Sequence, residues 1–531
     1  MLAQLSSRNF PMPPQRRILA IGPILLLAMA SGLEAFPDVD PDEQIKQGVA
    51  HILATIKEPE IPARSIQLIE FAGHAPDTEG SHDFHKAIAG AVDELASAGG
   101  GSLNFGYPAG ARGIVTYRLR GPIELKSNTA LRLDRGIRIF FEFDPASYRP
   151  GGKGVLTSYE GTTLYTHSPL IRTFNAENIA IIANPGEGPL PVLDGDGQRW
   201  RDWEVDGNRK RGSDQDAPEA SYQRVKEINN SGIPIRERRL DEEFLRPPLV
   251  QLFLSRRVLM ENVKLVNSPF WTVHPRFSEN LVFRGLEFEA LVANNDGIDP
   301  DSSRYVLIEN IKFHNADDNI AVKAGRDLEG REGVDIAGTE LEGLKSHYIR
   351  NGRIYGPSEH ILIRNNRFRG HYAICIGSEM SGGVHHLYAL NNEAEHPVRM
   401  GFYIKGGRNR GGTVSHIYVR DLKLGEVIKE AIRLVPNYDN DLKSPYPSKF
   451  HDIYLDRMSV KKAGLGVRIF GWHDQPIFNV LLRDVTVENV AASADFEYEN
   501  VRDVVLKNVM INGRSNEGAF SRMHPEVVPP K

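Results

Sequence analysis

The chain has 531 residues, of which 64 are basic and 69 acidic, for a formal net charge of -5. Charge this close to balance provides no long-range field for nucleic acid or a membrane surface, so electrostatic selectivity has to be local. The single cysteine, Cys375, excludes an intramolecular disulfide, and stability must come from packing and hydrogen bonds.

In chain order, the first signal is Arg16-Arg17, then the apolar run Ile18 to Ala30 and a small-residue site at Ala28-Met29-Ala30. This is the form of a secretory signal, and the run is too short for a comfortable membrane span. Ala35 is a second cleavage candidate, and Met12 an alternative start. The expected layout is a signal peptide at 1–35, an extension at 36–70 that wraps the start of the domain, and one domain over 71–531. A periplasmic or secreted location follows, with no membrane contact after cleavage. The paired arginines leave the export route open between the general and twin-arginine systems.

From Asp83 to Ala98, Phe84, Ile88, Val92 and Leu95 fall on one helical face, and Gly99-Gly100-Gly101 ends the helix. Beyond it lie short strands and turns with almost no helix signal. Alternating aliphatics recur in Val258–Val263, Leu281–Leu286, Val306–Ile311, Ile361–Asn366, Ile417–Leu422, Val480–Val485 and Val504–Val509, at intervals that are mostly 23 to 30 residues. A turn-forming Asn or Asp closes most of them, at 262, 310, 365, 421, 484 and 508. Periods of this length indicate a solenoid, and strands of this kind a parallel β-helix. Val273, Ile298, Val322, Ile376, Ile404, Leu434 and Ile469 read as a stacked inward column. The residues after the first five, His274, Asp299, Lys323, Gly377 and Lys405, then form an outward polar strip, expected as a groove floor. Two long, charged stretches, 197–247 and 327–357, break the rhythm and read as loops projecting from the solenoid.

The chemistry concentrates where Asp317-Asp318 follows Asp296 by 21 residues, about one coil. Stacked coils bring these carboxylates together, and like charges push their pKa values apart. Such a set suits glycoside cleavage, in which one carboxyl gives a proton and another activates water, or else a cation site. His371 precedes Ile376 by the same five residues that separate Asp317 from Val322. A histidine in that place can orient or tune an acid. Asp296 sits in an otherwise apolar column, so a bulge or edge is needed to turn it outward.

Several strings together resemble glycoside hydrolase family 28, the polygalacturonase family, from about Phe71 to Gly513. They are Asn-Ser-Pro-Phe-Trp-Thr-Val-His-Pro at 267–275, Asn-Asn-Asp-Gly-Ile-Asp-Pro-Asp-Ser at 294–302 and Asp-Asp-Asn-Ile-Ala-Val-Lys-Ala-Gly at 317–325. Gly370-His371, Ile-Gly-Ser-Glu-Met-Ser-Gly-Gly-Val at 376–384, and Tyr403-Ile-Lys405 before Arg410-Gly-Gly complete the set. The resemblance implies an all-β, right-handed parallel β-helix with an N-terminal capping helix, and inverting hydrolysis of galacturonan-type chains. It implies Asp317 as general acid, Asp296 and Asp318 as activators of water, His371 as support for the acid, and Lys405 as a carboxylate binder. Lys323, Arg408 and Arg410 also suit an anionic sugar, with His274, Asp299 and Tyr403 beside them. Tyr403 stands where many members carry Arg, which resembles exo-acting bacterial members. The expected enzyme is a monomer with no metal or cofactor, whose partner is the polysaccharide. A calcium-dependent lyase and a non-catalytic carbohydrate-binding β-helix are the competing readings.

Overall fold

The computed structural model describes residues 40–76, 82–210, 220–438, 443–492 and 496–523. The expected signal peptide lies outside them. Among the described residues, no helix is long and apolar enough to cross a membrane.

The alternating aliphatics form strands that pair in parallel with the strand of the next coil. One column runs Leu103, Leu131, Ile181, Met260, Phe283, Ile308, Ile363, Ala389, Val419, Leu455, Leu482, Leu506. Every member is buried, although no single coil encloses enough apolar surface to bury its own. The Asn and Asp residues expected to close the strands all adopt the left-handed conformation, with φ between 52° and 57° at 262, 310, 365, 421, 484 and 508. Their short polar side chains tolerate it better than other L-residues do.

Both ends of the stack are covered. Helix α3 (His85–Ser97) packs on strands 101–105 and 123–125 and adds Ile88, Val92 and Leu95 to the core. The chain leaves it through Gly100, where a Cβ would lie 2.4 Å from the Asn128 carbonyl. At the other end, strand Arg514–Arg522 folds back antiparallel on Val501–Ile511.

The extension departs from expectation in its first part and meets it in its last, at the first rung. Helix α1 (Pro41–Thr55) does not wrap the start of the domain but lies on strands 304–309, 358–364 and 384–394 in the middle of the stack. Aromatic residues on that flank form its bed. His51 packs edge-on against Tyr305 and His360, and Gly48 sits where a Cβ would overlap the Tyr388 phenol. Asp42 pairs with Arg420 and Arg483, and Glu58 with Arg284. Strand Ser65–Gln67 then becomes the first rung against 101–105, and the short helix α2 (Leu68–Ala72) joins α3.

The two long stretches are folded elements rather than projecting loops. The first carries α4 (Gly197–Lys210) and α5 (Ala220–Ser231), and the second carries α6 (Asp327–Glu332) and three short antiparallel strands. An antiparallel hairpin, Val155–Tyr159 with Thr162–Thr166, joins them. These pieces share two small cores. One includes Tyr165, Ile235, Phe277, Val334 and Tyr348; the other includes Tyr159, Leu164, Val225, Phe270 and Trp271. Burying those residues is what holds the pieces down on the solenoid.

Candidate active site

The register through the carboxylate coils differs from the expected one by two residues. Ile298 pairs with Val273 on one side and with Ile320, not Val322, on the other. Ile320 continues to Ile374 and Phe402, so Asp301, not Asp299, stands opposite Lys323. Asp296 and Asp318 then occupy equivalent places in neighbouring coils, and no bulge is required. Both lie outside strands, Asp296 just ahead of the bridge residue Ile298 and Asp318 just ahead of strand Ile320–Val322, so the alternation of strand side chains does not apply to them.

Backbone and buried polar groups fix those turns. Thr272 N donates to the Asp296 carbonyl at 2.8 Å, and Gly297 N to the Asp318 carbonyl at 2.9 Å. Gly297 has no room for a side chain, since a Cβ would come within 2.4 Å of the Asn319 carbonyl. Asn295 donates to the Ser268 and Phe270 carbonyls and accepts from Val292 N. Arg246, from the first insertion, donates to the carbonyls of Pro269 (2.6 Å) and Ala293 (2.7 Å) and to Asn294 Oδ1 (2.9 Å).

Three cationic partners separate the carboxylates by environment. His371 Nδ1 lies 3.2 Å from Asp317 and 3.8 Å from Asp318, while Lys405 Nζ meets Asp318 Oδ2 at 2.5 Å. Lys323 Nζ lies 3.3 Å from Asp296, 3.4 Å from Glu379 and 4.0 Å from Asp299, over the Trp271 ring. The Asp317 side chain is 31% exposed, whereas that of Asp318 is 1% exposed. Burial opposes ionisation of Asp318, yet Lys405, His371 and Lys323 outweigh it and hold this carboxyl below the usual range. Burial pushes Asp296 and Asp299 well above that range, with Asp299 adding to the shift on Asp296. Burial also works against the His371 imidazolium, but Asp317 and Asp318 raise its pKa to about 9.

That shift predicts a pH effect. The stabilisation from protonated His371 is complete below the unfolded value of about 6.5 and is lost as pH rises through the folded value. Thermal melts should therefore fall between these limits, and His371→Asn should remove that part of the slope. An unchanged profile in the variant would argue against the imidazolium.

Asp317, Asp318 and His371 also present possible ligand atoms within 4.8 Å of one another, the one such group found among the described residues. Lys405 already occupies Asp318 Oδ2, and a protonated imidazole has no lone pair to offer a cation. The arrangement suits proton transfer better than cation binding.

The strip expected as an open groove floor is covered at its His274 end, where the hairpin reaches it through Gln251. His274 is fully buried, its ring nitrogens 3.1 Å from Gln251 and 3.2 Å from Asp301. Asp299 is fully buried as well. Arg410 is buried between the Ser378 carbonyl, Asp327 of α6 and Glu379, so it ties a turn to the insertion. Arg408 grips Asp474 with two bonds of 2.7 Å and lies over Trp472. Lys323, Tyr403 and Lys405 are nearly buried. Cys375 is buried as expected, in register between Ala321 and Tyr403.

Glu379 and Tyr438 escaped the sequence reading. Glu379 lies within residues 376–384, just past the buried end of strand Gly370–Ile376, and its position was legible there. Tyr438 belongs to no motif; 48% exposed, it places its ring 5.2 Å from Lys405 Nζ. Tyr372 stacks on His371, with ring centres 3.9 Å apart, and borders the same space.

The model of glycosyl hydrolases family 28 matches residues 238–507. A probable polygalacturonase of Vitis vinifera is 32% identical over 267 residues, 48% of each chain. An endo-polygalacturonase of Pectobacterium carotovorum subsp. carotovorum is 24% identical over 49% of this chain and 56% of its own. The chain thus spans about half the length of these curated relatives. Among solved structures, the exopolygalacturonase of Thermotoga maritima superposes with a TM-score of 0.76 at 32% identity, covering 90% of this chain and 99% of that one. The family 28 exopolygalacturonase of Yersinia enterocolitica, at 20% identity and a TM-score of 0.60, shares the fold.

Proposed function

Since the chain belongs to family 28 of the glycosyl hydrolases, we propose that it hydrolyses galacturonan-type chains with inversion, releasing sugar from chain ends. The observation that carries this reading is the division between neighbouring carboxylates. Asp317 is open to the cleft beside protonated His371, and Asp318 is buried and kept ionised by Lys405.

In this reading the Asp317–His371 pair holds the proton for the leaving oxygen. As the glycosidic bond breaks, the proton that the pair shares passes through Asp317 to that oxygen, leaving the Asp317 carboxylate beside a neutral His371. Asp318 takes a proton from water on the opposite face of the sugar, and Asp296, one coil away, orients that water. Lys405 and Lys323 limit the mutual repulsion of the acids. Lys405, next to the exposed Tyr438 ring, offers the cation for a substrate carboxylate.

The name of the Thermotoga relative and the folded insertions beside the site support the chain-end mode. The N-terminal sequence supports export, and the protein is read as a monomer.

Incubation with defined galacturonide oligomers tests the proposal. Monomer and new reducing ends should appear without a rise in ultraviolet absorbance, and EDTA should change nothing. An unsaturated, absorbing product that disappears with EDTA would indicate a calcium-dependent lyase. Binding without turnover would indicate a non-catalytic β-helix.

A further inference from the structure

Beyond Tyr403 the same face continues into cations that the proposed chemistry does not use. Tyr403 pairs in register with Arg433, and Arg433 with Arg468, so the three stand on successive coils about 4.8 Å apart. The Arg433 guanidinium lies 5.3 Å from the Tyr403 ring, and its Nε is buried without a hydrogen-bond partner. One oxygen of Glu430 serves both Arg433 (2.6 Å) and Arg468 (2.7 Å), while Glu497 takes the other side of Arg468 at 2.8 Å. Exposed Arg399 and Lys429 complete the group. Burial, Arg399, Arg433 and Arg468 together depress the Lys429 ammonium against the pull of Glu430. Four cations thus crowd two carboxylates, an arrangement that an arriving anion relieves.

We infer that Arg399, Lys429, Arg433 and Arg468 form a carboxylate-binding subsite one coil beyond Tyr403, which holds a further uronate of the same chain. This rests on reading the substrate as a polyuronate. The spacing fits that ligand: Lys405 serves the acid site, and the next cations lie one and two coils further along the same strip, so an acidic chain laid along the coils meets them in turn. A neutral polysaccharide would gain nothing from them.

The double variant Arg399→Ala/Lys429→Ala alters exposed side chains only and should fold. Its kcat/KM should be compared with that of the parent on galacturonide oligomers of increasing length, at low and high salt. The expected result is that the advantage of the longest oligomer over the shortest shrinks about fivefold, and that its salt dependence weakens. If the parent cleaves the oligomers but the variant keeps the same length profile, or loses activity equally at every length, the subsite is overturned while the proposed function stands. Titration of the parent with the same oligomers separates the remaining cases. Binding without cleavage that is length-dependent in the parent and flattened in the variant supports the subsite and removes the hydrolase. A parent that binds no acidic oligomer removes both.

Discussion

Asp317→Asn is expected to lower kcat on galacturonide oligomers by about a thousandfold, within the range of a lost general acid. The substitution is nearly isosteric. Asp317 Oδ1 accepts from Asp318 N at 3.0 Å, and an amide oxygen can keep that bond, so the turn survives. The side chain is also partly exposed, so no buried charge is stranded. KM and the thermal melt should change little by comparison, which separates a chemical defect from a folding one. The variant should also move the His371 titration downward, since Asp317 is the first of its two carboxylate supports. Full activity in Asp317→Asn would sink the acid assignment and leave the buried acids to be reconsidered.

Glu329→Ala is expected to produce the largest loss of stability, about 3–5 kcal/mol. Glu329 lies in α6, outside the catalytic set, and is fully buried. It accepts from Thr163 N and Oγ1, pairs with Arg238 at 2.6 Å and reaches Arg276 at 3.1 Å. Arg276 also pairs with Asp301, which in turn meets His274. Removing this carboxylate leaves Arg238 buried without its charge partner and unpins the second insertion from the hairpin. Denaturant unfolding should show the loss directly. A fall in unfolding free energy of only a few tenths of a kcal/mol would mean that water or a relocated side chain replaces the carboxylate.

The sequence showed the solenoid clearly because its signal is redundant. Alternating aliphatics and left-handed Asn turns recur in many coils, and each coil confirms the next. The site was harder for a local reason. Asp296 lies ahead of an isolated bridge at Ile298 and Asp318 ahead of a three-residue strand, where period-two reasoning fails, and aligning Ile298 with Val322 instead of Ile320 shifted the column by two places. The meeting of Asp317 and Asp318 with His371 was legible because Val322 and Ile376, each five residues on from Asp317 and His371, pair in register as expected. Burial of the supposed groove floor was invisible. It depends on helices α4 and α5, whose apolar residues Trp200 and Val225 are diluted by charged neighbours, and on the 155–166 hairpin, whose residues fit one more short strand pair of the stack equally well. His274 and Arg410 looked like cleft residues because their polarity was legible, while the buried partners that claim them come from distant segments.

Helix α1 has a consequence for how the molecule comes apart. A stack of coils held only by nearest neighbours can fray rung by rung from either end. Here one helix spans several rungs, and its Asp42 reaches Arg420 and Arg483, on strands of still later coils. Opening any of these rungs disturbs a brace common to the others, so the middle of the stack should melt as a block. A nick between α1 and the first rung would turn that brace from an intramolecular contact into a bimolecular one, and the block should then loosen on dilution.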